Sequence, residues 1–337
     1  MIQSGKRGYT TLQISAIQAK ILKDLLADGR KSEEEIAKTV GATKQAVKSN
    51  YNKLVKLGII KGATTHISYR LFGFKAVAYL IITIDPKQTD QLAAYLQKMP
   101  EVYAFFTKGI PGIVDVVTIL KTVEQLNEVK DQFKNNFNIS EMKTAIWTDV
   151  KEMNYNLAII TENRRNITGP SSNPKNPVRP KNGNTLDEID QKIADTLADN
   201  GRISMVELAK AANVSPRIAK RRYGKLAENG ALKVTIQVDP HKIGYQALCI
   251  FFTTISFERL PSIIQEISKI PDIISIMKTT GDYDLQIYAM VPDLDQMLFI
   301  KEELSKIDGI IRMDFEINRI SEKMDKWPSP RQYISTF

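Results

Sequence analysis

The chain has 337 residues, with 47 Lys and Arg against 38 Asp and Glu, a net charge of +9 and a single cysteine, Cys249. That length leaves room for two or more domains, and no apolar run is long enough to span a membrane. One cysteine excludes an internal disulfide framework, so a reducing, cytoplasmic setting is expected. The positive balance favours a polyanionic partner without choosing among DNA, RNA and anionic lipid.

Residues 1–12 read as a basic lead-in without the apolar core of a secretory signal. A first amphipathic helix follows, with Ile14, Ile17, Ile21 and Leu25 on one face. Ser32 and Glu35 form a capping box for a second helix. The third helix turns Val47, Tyr51 and Leu54 inward and leaves Thr43, Lys44, Gln45, Lys48 and Lys53 outside that stripe. Between Glu35 and Asp85 there is no acidic residue, while eight Lys or Arg occur (Lys38, Lys44, Lys48, Lys53, Lys56, Lys61, Arg70 and Lys75). So one-sided a stretch repels itself unless it serves a counter-charge, which supports a nucleic-acid face. A β-prone run, ATTHISY, then reads as a wing or linking strand, followed by a hinge at Phe72-Gly73-Phe74.

Beyond the hinge the pattern is β-α-β-β-α-β: strands at 76–84, 102–107, 113–120 and 141–148, with helices at 89–97 and 123–137. This is the order of a ferredoxin-like sandwich, an antiparallel sheet with two helices on one face. Residues 161–184 carry four prolines and almost no apolar residue, the composition of a flexible linker.

From Leu186 the chain repeats itself. Ile14, Ile17, Ile21 and Leu25 return as Leu186, Ile189, Ile193 and Leu197, and Gly29-Arg30 as Gly201-Arg202, all 172 positions on. A fixed offset held by caps, glycines and core positions is a duplication. Thr185 and Glu188 read as the cap of the first helix, and Asn200-Gly201 as its end, with Gly supplying a left-handed backbone. Ser204 and Glu207 cap the second, with Val206, Leu208 and Ala209 as its buried face. Ser215-Pro216 opens the third, N-cap Ser before Pro at the first helical position. Ala219, Tyr223 and Leu226 should turn inward, leaving Arg217, Lys220, Arg221 and Lys225 outside. A short basic helix after a tight turn suits a DNA major groove, with Ser215 near the groove wall and Lys225 on phosphate; the alternative is a solvated basic face. A strand KVTIQV and a hinge at Gly244 follow, then strands at 247–257, 273–279, 284–291 and 310–320 with helices at 260–270 and 294–307. The tail from Trp327 reads as irregular.

The fold expected is therefore α+β: two tandem modules, each a winged-type helix-turn-helix followed by a ferredoxin-like βαββαβ sandwich. The divisions fall at 12–62, 63–160, 161–184 (linker), 185–234 and 235–326. The sheet face opposite the helices, carrying Tyr79, Ile81, Phe251 or their neighbours, should be covered by pairing of the two copies or of two chains. Its aromatics could also stack single-stranded bases, although continuous apolar runs fit a buried face better. For catalysis the chain offers no phosphate-binding glycine loop and no H-E-x-x-H, and His66 and His241 have no neighbouring acid or Cys ligands. No catalytic residue, metal or cofactor is expected. The sequons at Asn138 and Asn166 are chance matches in a reducing setting.

Through LDEIDQKI, GRISMVELAKAANVSP, KRRYGKL, GALK, GYQA, TGDYDLQIYAMVPD and IDGIIR, the second copy resembles the Lrp/AsnC family of transcriptional regulators. The first copy keeps DGRKSEEEIAKTVGAT and GII but has Thr43-Lys44 for Ser-Pro, and Asn50 where the second keeps the family's Arg222. The resemblance implies a regulator that binds double-stranded DNA, through Ser215, Arg217, Lys220, Arg221 and Lys225 and, in copy one, Thr43, Lys44, Gln45 and Lys48. It also implies a small effector such as an amino acid, bound between ferredoxin-like domains near the turn Gly281, Asp282, Tyr283 and Asp284. Aligning Gly112 with Gly281 and Asp115 with Asp284 gives the copy-one counterpart. The partner expected besides DNA is another copy of the chain, or the other half of the same chain as a pseudo-dimer. A metabolite-sensing scaffold with weak DNA affinity and a general chromatin-type binder are the alternatives.

Overall fold

The computed structural model describes residues 14–68, 73–108, 110–153, 156–157, 186–320 and 333–334. The linker 161–184, Thr185 and Arg70 lie outside them. In chain order the first module comprises α1 (Ala16–Ala27), α2 (Glu33–Val40), α3 (Lys44–Lys56), β1 (Ile60–Ser68), β2 (Ala76–Ile84), α4 (Thr89–Leu96), β3 (Val102–Thr107), β4 (Ile113–Leu120), α5 (Gln125–Asn136) and β5 (Ile139–Glu152). The second comprises α6 (Glu188–Asp199), α7 (Met205–Ala211), α8 (Pro216–Glu228), β6 (Leu232–Val238), β7 (Ala247–Ile255), α9 (Leu260–Ile267), β8 (Ile273–Thr280), β9 (Leu285–Val291), α10 (Leu294–Ser305) and β10 (Ile310–Arg319). The tail is not wholly irregular: Tyr333–Ile334 form a short strand, β11, parallel to β1 against Ile67 and Ser68.

The helices begin where local chemistry allows. Capping boxes at Ser32/Glu35 and Ser204/Glu207 are formed as expected, and another occurs at Ser15/Gln18. The second copy's first helix starts at Glu188 with Asp187 as N-cap, its carboxylate accepting from the Asp190 N–H. The turn inside each helix-turn-helix needs one left-handed residue, supplied by Gly41 (φ 69°) and by Asn213 (φ 55°), the non-glycine type that tolerates it best. Val206 does not belong to the buried face; it is 65% exposed, because α7 turns only Leu208 and Ala209 inward.

The two modules interlock twice. The wing strands β1 and β6 pair antiparallel, with Thr64 opposite Thr235. Each wing also packs on the other module's first helix: the Thr235 hydroxyl donates to Leu26 O (2.9 Å) and the Thr65 hydroxyl to Leu197 O (2.7 Å). Below them, one eight-stranded sheet runs β10-β7-β9-β8-β5-β2-β4-β3, two ferredoxin-like halves joined along β5–β8. Each half keeps its own helix-side core, such as Leu80, Leu96 and Phe133 in the first and Phe251, Ile263 and Ile300 in the second.

The opposite faces meet each other. Tyr79 stacks on Trp147 and meets Phe252 of the other half, both at 6.3 Å, and Trp147 meets Tyr288 edge-on. The Trp147 indole N–H donates to Gln286 Oε1 (3.0 Å). Burying each such side chain is worth about 1.5–3 kcal/mol, against about 1 kcal/mol for a backbone hydrogen bond. The halves are thus held by their faces more than by the β5–β8 seam. The residue on this face is Phe252; Phe251 points to its own helices. The pairing expected from the bare sheet face is realised between the two copies.

Candidate nucleic-acid interface

On α8 the Ser215 hydroxyl accepts from the Ile218 N–H and Pro216 occupies the first turn, so the helix start is fixed from within. Ala219 and Leu226 are buried, whereas Ser215, Arg217, Lys220, Arg221 and Lys225 are all exposed. Arg222, the remaining cation of this helix, is not part of the exposed set. It ion-pairs with Asp187 and Asp190 (3.0 Å to the latter), tying α8 to the start of α6. At the matching place in α3, Asn50 donates to Ala46 O in its own helix (2.9 Å). Thr43, Lys44, Gln45 and Lys48 are exposed on α3, with Thr43 as N-cap. Of the eight cations in the acid-free stretch, Lys61 is engaged by Asp239 (3.7 Å), while Lys38, Lys44, Lys48, Lys53, Lys56 and Lys75 are exposed.

Tyr51 and Tyr223 are only half-buried, and the reason is an arrangement that periodicity does not show. Arg30 crosses to the second module, donating to Gly201 O (2.8 Å) and Ile203 O (3.0 Å) with its guanidinium 5.2 Å from the centre of the Tyr223 ring. Arg202 does the reverse, donating to Gly29 O (2.8 Å) and lying 5.3 Å from the Tyr51 ring. Each third helix is thus held by the arginine of the other helix-turn-helix. Neither arginine was among the expected site residues, although both follow a glycine that the duplication keeps.

Those glycines serve close approach rather than a left-handed turn. Neither Gly29 nor Gly201 has positive φ. A Cβ on Gly29 would lie 2.7–2.9 Å from the Thr235 backbone, and one on Gly201 would lie 2.9 Å from Thr64 O. Their N–H groups donate to Val234 O (2.8 Å) and Ala63 O (3.2 Å).

The effector turn lies at the β8–β9 connection. Gly281 has φ 128° and a Cβ there would stand 3.1 Å from Thr144 O of β5. An Asp284 carboxylate oxygen accepts from the Ile255 N–H (2.9 Å), and the Tyr283 hydroxyl donates to Asp314 (2.5 Å) beneath Arg312. Asp282 is exposed.

The copy-one alignment is corrected by strand register. Ile81 in β2 pairs with Asp115, and Phe252, at the same place in β7, pairs with Gln286. Asp115 therefore matches Gln286, not Asp284, and it is fully buried between the two halves of the sheet instead of lying at a turn. There it accepts from the Tyr79 hydroxyl (2.7 Å) and pairs with Lys108 (3.2 Å), which also binds Glu316 of β10 (2.5 Å). Burial pushes the Asp115 carboxyl up to about 6 despite the Lys108 charge. Gly112 does lie at a tight turn (φ 85°), its N–H donating to Thr89 Oγ1 (3.2 Å).

Among the described residues no group of His, Cys, Asp and Glu could hold a metal ion, and no helix is long and apolar enough to cross a membrane. His66 and His241 are buried. Burial holds His66 down at about 3 and pushes the Cys249 thiol up to about 12.

Comparison with known proteins follows the same division. Residues 186–227 match the AsnC-type helix-turn-helix domain, 249–319 the Lrp/AsnC ligand binding domain, and 14–61 a winged helix-turn-helix DNA-binding domain. An uncharacterised HTH-type transcriptional regulator of Pyrococcus horikoshii is 30% identical over 127 residues, 37% of this chain and 80% of the relative. One from Pyrococcus abyssi is 32% identical over 127 residues, 37% of this chain and 86% of the relative. Across 95% of this chain and 94% of the other, the fold is that of the siroheme decarboxylase NirDL, at TM-score 0.59 and 13% identity. Through its helix-turn-helix and ligand-binding domains the chain belongs to the Lrp/AsnC family of DNA-binding transcriptional regulators.

Proposed function

We propose that this regulator acts in the cytoplasm as a sequence reader of double-stranded DNA through α8, with α3 making a looser, mainly phosphate contact. One observation carries the reading. Every cation of α8 outside the Arg222 ion pairs is exposed on the helix that Ser215-Pro216 starts, while the same helix buries Ala219 and Leu226. Arg217, Lys220 and Arg221 then face base edges, with Ser215 at the groove wall and Lys225 on phosphate. Thr43, Lys44, Gln45 and Lys48 are the copy-one contacts.

A small effector, such as an amino acid, is proposed at the β8–β9 turn. Gly281 allows close backbone approach there, and Asp282 is the exposed carboxylate suited to an α-ammonium group. Asp284 and Tyr283 shape this turn through bonds already made. The chain works without catalysis in this reading; the buried His66, His241 and Cys249 support it, and likeness to the decarboxylase at 13% identity concerns fold alone.

Genome-wide footprinting at physiological salt, with and without a panel of amino acids, tests the assignment. The expected result is a set of discrete sites that Arg217→Ala with Arg221→Ala abolishes. Unchanged operator binding by that variant would overturn the residue roles, and steep salt dependence without sequence preference would favour a chromatin-type binder.

A further inference from the structure

The duplication permits a comparison within one molecule. The ladders align β5 with β10 at an offset of 171, since Ile82 pairs with Met142 and Thr253 with Met313. The buried Leu126, Val129 and Phe133 of α5 likewise match Met297, Ile300 and Leu304 of α10. At this offset the copy-one positions Asn127, Glu128, Ser140 and Thr144 are polar. Their copy-two counterparts are Leu298 (47% exposed), Phe299 (41%), Ile311 (70%) and Phe315 (38%). The shared fold does not require apolar residues there, because copy one builds the same elements without them. Exposing several large apolar side chains together marks an interaction surface.

We propose that this face of α10 and β10 pairs with the same face of a second copy of the chain. Two features select that occupant. Among the described residues β10 ends the eight-stranded sheet and no strand pairs with its outer edge, which leaves that edge as a template for another strand. Its sequence is also self-complementary in one antiparallel register. Centred on Met313, the pairing sets Ile311 opposite Phe315 and Arg312 opposite Asp314 of the second copy. Arg312 and Asp314 are both exposed and now pair with each other (2.7 Å). A two-fold contact of this kind closes at two chains, and the polar copy-one face cannot repeat it. The inference rests on neither the DNA reading nor the effector reading.

Sedimentation equilibrium of the full chain at micromolar concentration tests it. The expected mass is twice 38.0 kDa, falling to a single chain in Phe315→Glu, with Ser140→Lys as a copy-one control that stays paired. Arg312→Asp alone and Asp314→Arg alone should each be single chains, because each places like charges across the two-fold. Mixed, they should restore the two-chain mass, a result that misfolded variants cannot give. A single-chain wild type, a two-chain mass indifferent to these changes, failure of the mixture to pair, or assemblies larger than two chains would overturn the proposal.

Discussion

The reciprocal arginines make a quantitative claim about how the two helix-turn-helix units are held. Arg30→Ala removes two charge-assisted hydrogen bonds, to Gly201 O and Ile203 O, and the contact with the Tyr223 ring. Such bonds contribute about 1.5–3 kcal/mol each and the ring contact about 0.5–1 kcal/mol at a partly exposed site. Arg30 is half-buried, so the lower ends apply, and a loss of about 3–4 kcal/mol is expected. Arg202→Ala removes one hydrogen bond and one ring contact from an exposed side chain, and about 1–2 kcal/mol is expected. Urea denaturation followed by far-UV circular dichroism ranks the two: Arg30→Ala should lower the midpoint more. The functional consequence is in DNA spacing. With both clamps present the two third helices are fixed relative to each other, so inserting about 5 bp, half a helical turn, between half-sites of a selected duplex should cost the wild type most of its affinity. The double variant should bind the parent duplex more weakly and lose much less on insertion. Equal midpoints for wild type and Arg30→Ala, or a spacing dependence unchanged in the double variant, would refute the clamp.

Packing and burial set further outcomes. Gly29→Ala drives a Cβ into the Thr235 backbone, which no rotamer change relieves, and should destabilise the chain by about 1–3 kcal/mol. Gly224→Ala within α8 meets nothing within 4 Å and should stabilise by about 0.5–1 kcal/mol, so thermal midpoints must move in opposite directions. The buried carboxyl of Asp115 titrates at about 6 in the folded state against an ordinary value of 3.8, so the folded state holds its proton more tightly than the unfolded chain. Stability from this group is full below about 4 and is lost as pH rises to about 6. Asp115→Asn should therefore remove that downward slope and leave the protein more stable than wild type at pH 7, as read from denaturation midpoints across pH. His66, held at about 3, has the opposite sign: its contribution is full above about 6.5 and falls as pH drops towards 3. His66→Gln should flatten that acid limb.

The elements themselves were legible because their signals are local. Strands such as Ala76–Ile84 and Ile113–Leu120, and the starts of the helices capped by Ser32, Ser204 and Ser215, fall where the pattern of apolar residues and caps says they should, whereas the second copy's first helix is capped by Asp187 and not by Thr185. What escaped depended on contacts between the copies. Gly201 reads as a helix terminator because a glycine after a helix has that local meaning, whereas the actual constraint on it and on its counterpart Gly29 is a strand from the other module. Tyr51 and Tyr223 fit a core stripe, yet each is capped by an arginine of the other copy, more than 150 positions away. Asp115 and Asp284 resemble each other in motif, but they stand two residues apart in the β-ladder, one within its strand and the other just before its strand begins, which leaves one carboxylate buried between the two halves and the other on a turn. The exposed cations of α3 and α8 were read correctly as exposed because solvation of a basic stripe needs no partner.

Holding both heads in one chain separates two constraints that identical subunits must satisfy together. Arg30 and Arg202 each have their partners in the other copy, so the clamp persists only if both copies keep it. The reading faces carry no such mutual obligation, and they differ: Arg217 and Arg221 of α8 stand where α3 has Gln45 and Ser49. An asymmetric site is then expected from selection of random duplexes. The same argument predicts the repair. Gln45→Arg with Ser49→Arg places the copy-two cations on exposed positions of α3 while leaving Val47, Leu54 and the clamp untouched. The selected sites should become more nearly symmetric inverted repeats, and the slope of log K against log salt should steepen by about 0.9 for each new phosphate contact. Selected sites that stay asymmetric, with an unchanged salt slope, would show that α3 does not face DNA in the way α8 is proposed to.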